Sequence, residues 1–454
     1  MRVKVALIGG GGVRTPLLIH GIAEAQSVVR ADELALFDVD LERAETMARI
    51  GRQIVCDLGA DLRINTHSKL EEAAEGADFV LNSIRVGGIS ARARDERIAI
   101  EHGLPGQETT GPGGVAMALR TVPVTLSHAR VIERIAPDTW FINFTNPAGL
   151  ITQALTQHTS LRVIGICDTP MELFHKIAEQ LGEPFEELSF DYQGLNHLGW
   201  VRRVVLRGED VTERLLADPD ALRRLYHADL FDPALIQTLR LIPTEYLFFY
   251  YGQRQAYENQ LRAGASRGEE LQKMNTGLFG QLASESPAQA VATYRRYLLQ
   301  RNASYMKLEA EAGSAFHAVV DGEDPFKTAT GYHRIAIEVM TGLVSEKPKT
   351  VVVNVRNQGA VDDLEADDVV EAPCSIDRDG PRPLPTGRLP EQVRGLVLAV
   401  KAYERTAIRA AVEKSPRLAE LAMLEYPAIG QWKLAGELRE ALVRSDQKHL
   451  GYLA

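Results

Sequence analysis

Cysteine is scarce: Cys56, Cys167 and Cys374 are the only three, far apart in a chain of 454 residues. So sparse and odd-numbered a set excludes the disulfide framework of small secreted domains and points to a reducing compartment, the cytoplasm. Long apolar runs are lacking too. None approaches the roughly 18 residues a membrane-spanning helix needs, and the stretch after Lys4 is too short for a signal-peptide core. An excess of positive charge is likewise missing, since 51 basic residues stand against 61 acidic ones for a formal net of -10. Nucleic-acid binders usually carry a basic patch or stripe, so this balance argues against nucleic acid while leaving room for a basic pocket that takes a small anion. Fixed-period repeats and low-complexity tracts are absent as well, and 37 Gly with 21 Pro is an ordinary globular content.

What is present is length enough for about two or three domains. Over the first 170 or so residues, short Val- and Ile-rich runs alternate with amphipathic stretches, as expected of a buried parallel sheet with crossover helices. Strands are predicted at Val3–Ile8, Leu34–Phe37, Phe79–Ser83, Trp140–Asn143 and Val163–Ile166. Thr15 is an N-cap candidate with Pro16 at the first helical position. The fold class is therefore α/β, a Rossmann-type doubly wound N-terminal domain. From Gly194 on, one strand-like stretch (Trp200–Leu206) leads into helical segments at Glu213–Tyr226, with Pro219 a possible break, Glu269–Leu282 and Ala288–Leu308. Strand character returns at Lys349–Arg356 and Val369–Pro373, Asp377–Pro390 reads as a surface loop, and Gln392–Glu413 and Leu418–Ala454 are helical. The expected division is a nucleotide-binding domain at 1–190 and a mixed α+β, largely helical domain for substrate and oligomerisation at 191–454.

The first strand runs into Gly9, Gly10, Gly11, Gly12, Val13, Arg14, Thr15 and Pro16. Strand, glycine turn and helix are the context of a dinucleotide site, where glycines admit a pyrophosphate and helix amides bind it. The third fingerprint glycine is replaced by Arg14. Asp38, ending the second strand, would accept hydrogen bonds from ribose hydroxyls and repel a 2'-phosphate, which favours NAD.

Ligands of open α/β sheets bind beyond the carboxyl ends of strands. There lie Ser83–Gly88 with Arg92, Arg94, Asp95 and Glu96, which could hold an anion or form a solvated helix start. The loop Gly106–Gly114, carrying Glu108, is either a site loop or a connector. Asn146 and Pro147 follow the fourth predicted strand; Cys167 and Asp168 follow the fifth. Cys167 and His197 each have a packing role open to them. As ligands they make an incomplete zinc set, and two ligands completed by water and substrate oxygens suit a six-coordinate ion such as manganese. Tyr246–Tyr251 reads as core, although a tyrosine beside a cation could serve as a base. Arg262 and Arg267 flank a helix start, as anion contacts or as surface loop residues.

Together these motifs resemble glycoside hydrolase family 4, the NAD- and manganese-dependent glycosidases, most closely its 6-phospho-β-glucosidases. The carriers are Gly9–Gly11 with Thr15-Pro16, Arg85–Gly88 with Asp95-Glu96, Gly106–Gly114, Asn143–Pro147, Gly165–Asp168, Gly194–Leu198, Ser266–Glu269 and Val370–Pro373, in this order and nearly end to end. The resemblance implies Cys167 and His197 as metal ligands and Tyr246 as base, with Tyr250 or Tyr251 as alternatives. It further implies Arg92, Glu108 and Asn146 as substrate contacts and Arg267 in a 6-phosphate pocket. The implied reaction is NAD-mediated oxidation at C3, deprotonation at C2, elimination of the aglycone and addition of water, outside the usual two-carboxylate scheme. Two departures stand out. Gly12-Val13-Arg14 replaces the common Ser or Thr after the glycines, and Asp168 resembles the general acid of α-acting relatives, where many β-acting members carry Asn. The anomer and the need for a phosphate therefore stay open. Alternatives from other classes are an NAD-dependent hydroxy-acid dehydrogenase and a nucleotide-binding protein without turnover. A homodimer or homotetramer is the usual state for a cytoplasmic enzyme of this size.

Overall fold

The computed structural model describes residues 3–310 and 324–454. Its strands are β1 (Val3–Ile8), β2 (Ala31–Phe37), β3 (Arg63–His67), β4 (Phe79–Asn82), β5 (Trp140–Asn143), β6 (Arg162–Gly165), β7 (Leu188–Leu195), β8 (Leu198–Leu206), β9 (Glu209–Asp210), β10 (Ile242–Pro243), β11 (Lys349–Arg356), β12 (Val369–Asp377) and β13 (Gly380–Pro383). The first six pair in parallel in the order β3-β2-β1-β4-β5-β6, the doubly wound order of a dinucleotide-binding sheet. The sheet does not stop at β6. It continues antiparallel through β11, β12, β7, β8 and β10, with β13 beside β12 and β9 beside β8.

Alternation along β1 explains the layering. Val5 and Leu7 pack with Leu18, Ile19 and Ile22 of the helix Thr15–Glu24 and with Val339 and Met340 of Tyr332–Val344. Ala6 and Ile8 point the other way, to Val115 and Leu119 of Gly111–Ile135 and Leu150 and Ile151 of Ala148–His158. Period-two burial on both faces is what a parallel core strand requires, and each large apolar side chain so buried contributes about 1.5–3 kcal/mol. No helix among the described residues is long and apolar enough to cross a membrane.

The structure departs from the sequence expectations in identifiable places. β3 was not anticipated, because Arg63–His67 is an edge strand with a single fully buried residue, Ile64. Arg14, not Thr15, is the N-cap, and Thr15 is already the first helical residue. Pro219 does break the expected helix, giving Thr212–Leu216 and Pro219–Arg224. The helix expected to reach Leu308 runs from Pro287 to Ala303, and the expected loop after Asp377 contains β13, whose two prolines mask its strand character.

Candidate active site

Register places the two candidate ligands. Gly165 of β6, Asn354 of β11, Glu371 of β12 and Gly194 of β7 stand opposite one another in one row across the sheet. Cys167 and His197 lie two and three residues beyond Gly165 and Gly194, and Glu371 is common to both: it acts on the Cys167 thiol and binds Asn196, the neighbour of His197. Glu371 anchors it, accepting hydrogen bonds from Tyr192 Oη (2.6 Å), Asn196 Nδ2 (3.1 Å) and Asn354 Nδ2 (3.1 Å). Asn196 and His197 form the tight turn between β7 and β8, and His197 takes a φ of 61°, a left-handed conformation uncommon outside glycine.

The hydrogen bonds around His197 fix its tautomer. Gln107 Oε1 receives the backbone amide of Thr110 (2.8 Å) and the Thr109 hydroxyl (2.9 Å). With its proton committed to Gln107, Thr109 Oγ1 must accept from His197 Nδ1–H at 2.8 Å, which leaves Nε2 with a bare lone pair. Burial pushes this imidazole down to about 4, so it is neutral near pH 7. The Cys167 thiol is buried and pushed well up, first by burial and then by Glu371 and Asp168, and it donates to Thr169 Oγ1 at 3.3 Å. A neutral imidazole and a thiol that needs a cation to ionise are a donor set suited to a divalent metal. Among the described residues, no group of three or more His, Cys, Asp and Glu could hold a metal. Two protein ligands would leave positions for substrate oxygens.

Tyr246 stacks on His197, ring centroids 3.7 Å apart and planes 9° from parallel. Of the three candidate tyrosines it alone lines the adjoining cavity; the Tyr250 hydroxyl is paired with that of Tyr426 at 2.8 Å. Arg92, Glu108, Asp168 and Arg267 line the same cavity, whereas Asn146 is buried outside its wall, as are Cys167 and His197. Glu108 sits between Arg85 (2.6 Å) and Arg92 (2.9 Å), and its carboxyl is held well below the usual range: burial opposes this, but the guanidiniums prevail. Arg92 also reaches Glu96 at 2.7 Å. Asp168 is raised to about 6 by burial against the pull of Arg14, an acid able to be protonated near neutrality.

Sequence reasoning passed over several lining residues. Arg14, noted only as a missing glycine, lies 3.4 Å over the Tyr332 ring and faces Asp168, Glu108 and Tyr246. Tyr305 reaches the Tyr246 hydroxyl at 3.2 Å and donates to Glu245 at 2.5 Å. His227 is held between Glu172 (3.1 Å) and Glu245 (3.6 Å), which raise it to about 10 although burial opposes them. These residues carry no local motif; only the register of distant segments brings them together.

The glycine turn opens onto the same end of the sheet. Gly9 has φ 95°, and a Cβ there would meet Ser83 O at 2.4 Å. A Cβ on Gly11 would meet the Asp38 carboxylate at 3.0 Å, and the Gly11 amide donates to Asp38 Oδ2 at 2.8 Å. Backbone, carboxylate and helix N-terminus thus form a cradle that side chains would fill, which suits a dinucleotide.

The model of the family 4 glycosyl hydrolases matches residues 4–183, and that of their C-terminal domain matches 192–429. The chain belongs to family 4 of the glycosyl hydrolases. A probable 6-phospho-beta-glucosidase of Bacillus subtilis (strain 168) is 30% identical over 460 residues, spanning 99% of this chain and 97% of that protein. The structure of the 6-phospho-beta glucosidase from Thermotoga maritima with manganese, NAD+ and glucose-6-phosphate superposes with a TM-score of 0.81 at 26% identity, covering 98% of this chain and 99% of that one. A 6-phospho-alpha-glucosidase from gut microorganisms, solved with NAD and glucose-6-phosphate, gives 0.82 at 25% identity, with 99% of each chain covered. Membership in family 4 disfavours the dehydrogenase and binding-protein alternatives, and both anomeric specificities occur among these relatives.

Proposed function

We propose that this family 4 hydrolase cleaves 6-phosphoglucosides, with a β-glucoside as the first substrate to test, using NAD and a divalent metal such as manganese. The observation that carries this reading is that Tyr246, stacked on His197, lines one cavity with Asp168, the residue after Cys167, and with Arg14 of the glycine turn. When bound, NAD takes up and returns a hydride at the sugar, and the metal polarises sugar oxygens. Gly9–Gly12 and Asp38 hold the nucleotide; Cys167 and His197 hold the metal. Tyr246 takes the C2 proton, its phenol having been raised well above 10 chiefly by burial, so its function requires a cation close by. Asp168 donates a proton to the departing aglycone oxygen. Arg92 and Glu108 position sugar hydroxyls, Asn146 acts from the edge of the site, and Arg267 contacts the phosphate. Nucleotide handling by residues 1–190, sugar handling and self-association into a dimer or tetramer by 191–454, and a cytoplasmic setting complete the reading.

The test is nitrophenol release from 4-nitrophenyl 6-phosphoglucosides of both anomers, with and without NAD and manganese, while following NADH absorbance. Release that needs both additives, without stoichiometric NADH, is expected. Net NADH without release would contradict the reading.

A further inference from the structure

A phenol that is still protonated at neutral pH can take a proton from carbon only if it gives up its own, and the surroundings of Tyr246 show where that proton can go. Tyr246 Oη lies 3.2 Å from Tyr305 Oη, which in turn lies 2.5 Å from Glu245 Oε1. A tyrosine hydroxyl has one proton to donate. That of Tyr305 is committed to the Glu245 carboxylate, so between the two phenols Tyr305 accepts and Tyr246 donates. The Tyr246 proton is thereby turned towards Tyr305, and its oxygen is left as an acceptor towards the cavity that it lines.

The far end of this chain is held in place. The second oxygen of the Glu245 carboxylate stands 3.6 Å from His227 Nδ1, and His227 Nε2 stands 3.1 Å from Glu172 Oε1. The His227 ring meets that of Tyr305 edge-on, centroids 5.2 Å apart and planes 89° from parallel. Four separate segments are involved: Glu172 comes from the helix Thr169–Leu181, His227 from the link after Pro219–Arg224, Glu245 from the turn Glu245–Leu247 and Tyr305 from just beyond Pro287–Ala303. Glu245 and His227 are both buried, and desolvating such a pair is costly.

We infer that Tyr305 and Glu245 form a proton relay behind Tyr246, with His227 and Glu172 fixing the terminal carboxylate. This inference rests on the proposed function. With C3 oxidised to the ketone by NAD, the C2–H bond breaks and its proton passes to Tyr246 Oη. The Tyr246 proton passes to Tyr305 Oη and the Tyr305 proton to Glu245 Oε1, while the bonding electrons stay on the sugar as an enolate charged at the C3 oxygen. Tyr246 is a neutral phenol before and after, and one negative charge has moved from Glu245 to the sugar. The cation that the site requires then serves that charge. Reverse transfer reprotonates C2 after the aglycone has left and water has entered, by which time the phenolic protons have exchanged with solvent. Tyr305 and Glu245 touch no reacting atom; they are positioning residues that act through Tyr246.

The test compares wild type, Tyr305→Phe, Glu245→Gln and the double variant on whichever 4-nitrophenyl 6-phosphoglucoside the wild type cleaves, with hydrogen or deuterium at C2. Each single variant should lower kcat about 10²- to 10⁴-fold. KM and the calorimetric affinities for glucose 6-phosphate and NAD should stay within about threefold of wild type, which also reports folded variants. The C2 isotope effect on kcat should be at least that of wild type, because the slowed step is the one that breaks C2–H. The double variant should be no slower than the slower single one, since a relay broken at one link is already broken. A kcat within about threefold of wild type in Tyr305→Phe, a loss carried by KM or by affinity, a vanishing isotope effect, or losses that multiply in the double variant would overturn the relay. Should wild type cleave neither anomer, the functional reading fails, and the hydrogen-bond chain is judged in protein labelled with carbon-13 at tyrosine Cζ. The Tyr246 resonance, assigned with Tyr246→Phe, should move in Tyr305→Phe and in Glu245→Gln; a resonance unmoved in both would overturn the inference.

Discussion

As the proposed metal ligand, His197 depends on a hydrogen bond made on its far side. Thr109 accepts a hydrogen bond from Nδ1–H, which leaves Nε2 unprotonated, and burial keeps the ring neutral. Thr109→Val should therefore weaken manganese about 10- to 100-fold in a calorimetric titration, although residue 109 touches no metal itself. Unchanged affinity would mean that the tautomer is set elsewhere. Tyr246→Phe removes the hydroxyl and keeps the stacked ring. It should cost about 10²- to 10⁴-fold in kcat, with NAD and manganese affinities preserved. A kcat within threefold of wild type would transfer the base role to another group.

Between elements, buried ionic links join segments distant in sequence. Arg120, within the helix Gly111–Ile135, makes two 2.9 Å bonds to Asp95 and one of 2.6 Å to Asp446, fastening the C-terminal helices to Gly88–Glu101, the helix that carries Arg92. Arg120→Ala strands two buried carboxylates and should cost about 3–5 kcal/mol in denaturant unfolding. His227 likewise joins Glu172 of Thr169–Leu181 to Glu245, the residue before Tyr246. Its folded value, about 10, lies above the ordinary 6.5, so its contribution is whole below about 6.5 and is lost as pH rises through about 10. Melting curves from pH 6 to 10 should show this loss, and His227→Gln should flatten that limb. The sequence made the core strands legible because buried β1, β4 and β5 leave continuous apolar runs. It did not reveal β3 or β13, an edge strand and a proline-bearing one. Strand-end and turn positions drew attention to Cys167 and His197, whereas Tyr246 was singled out only by the family resemblance, its aromatic stretch reading as core. Arg14, Tyr305 and His227 leave none, because their partners lie tens to hundreds of residues away.

At the scale of the molecule, one sheet serves two tasks. Its parallel half has the β3-β2-β1-β4-β5-β6 order that presents a nucleotide cradle, and its antiparallel half carries His197 in the turn between β7 and β8. In the row from Gly165 to Gly194, Glu371 links the surroundings of Cys167 to the His197 turn, and Tyr246 stacks on His197. The proposed function predicts elimination rather than direct displacement. The most direct test is to run the cleavage in D2O with NAD and manganese and to locate deuterium in the released sugar by NMR. The account predicts deuterium at C2, introduced when the C2 carbon is reprotonated after the aglycone leaves. Full turnover with protium retained at C2 would contradict it.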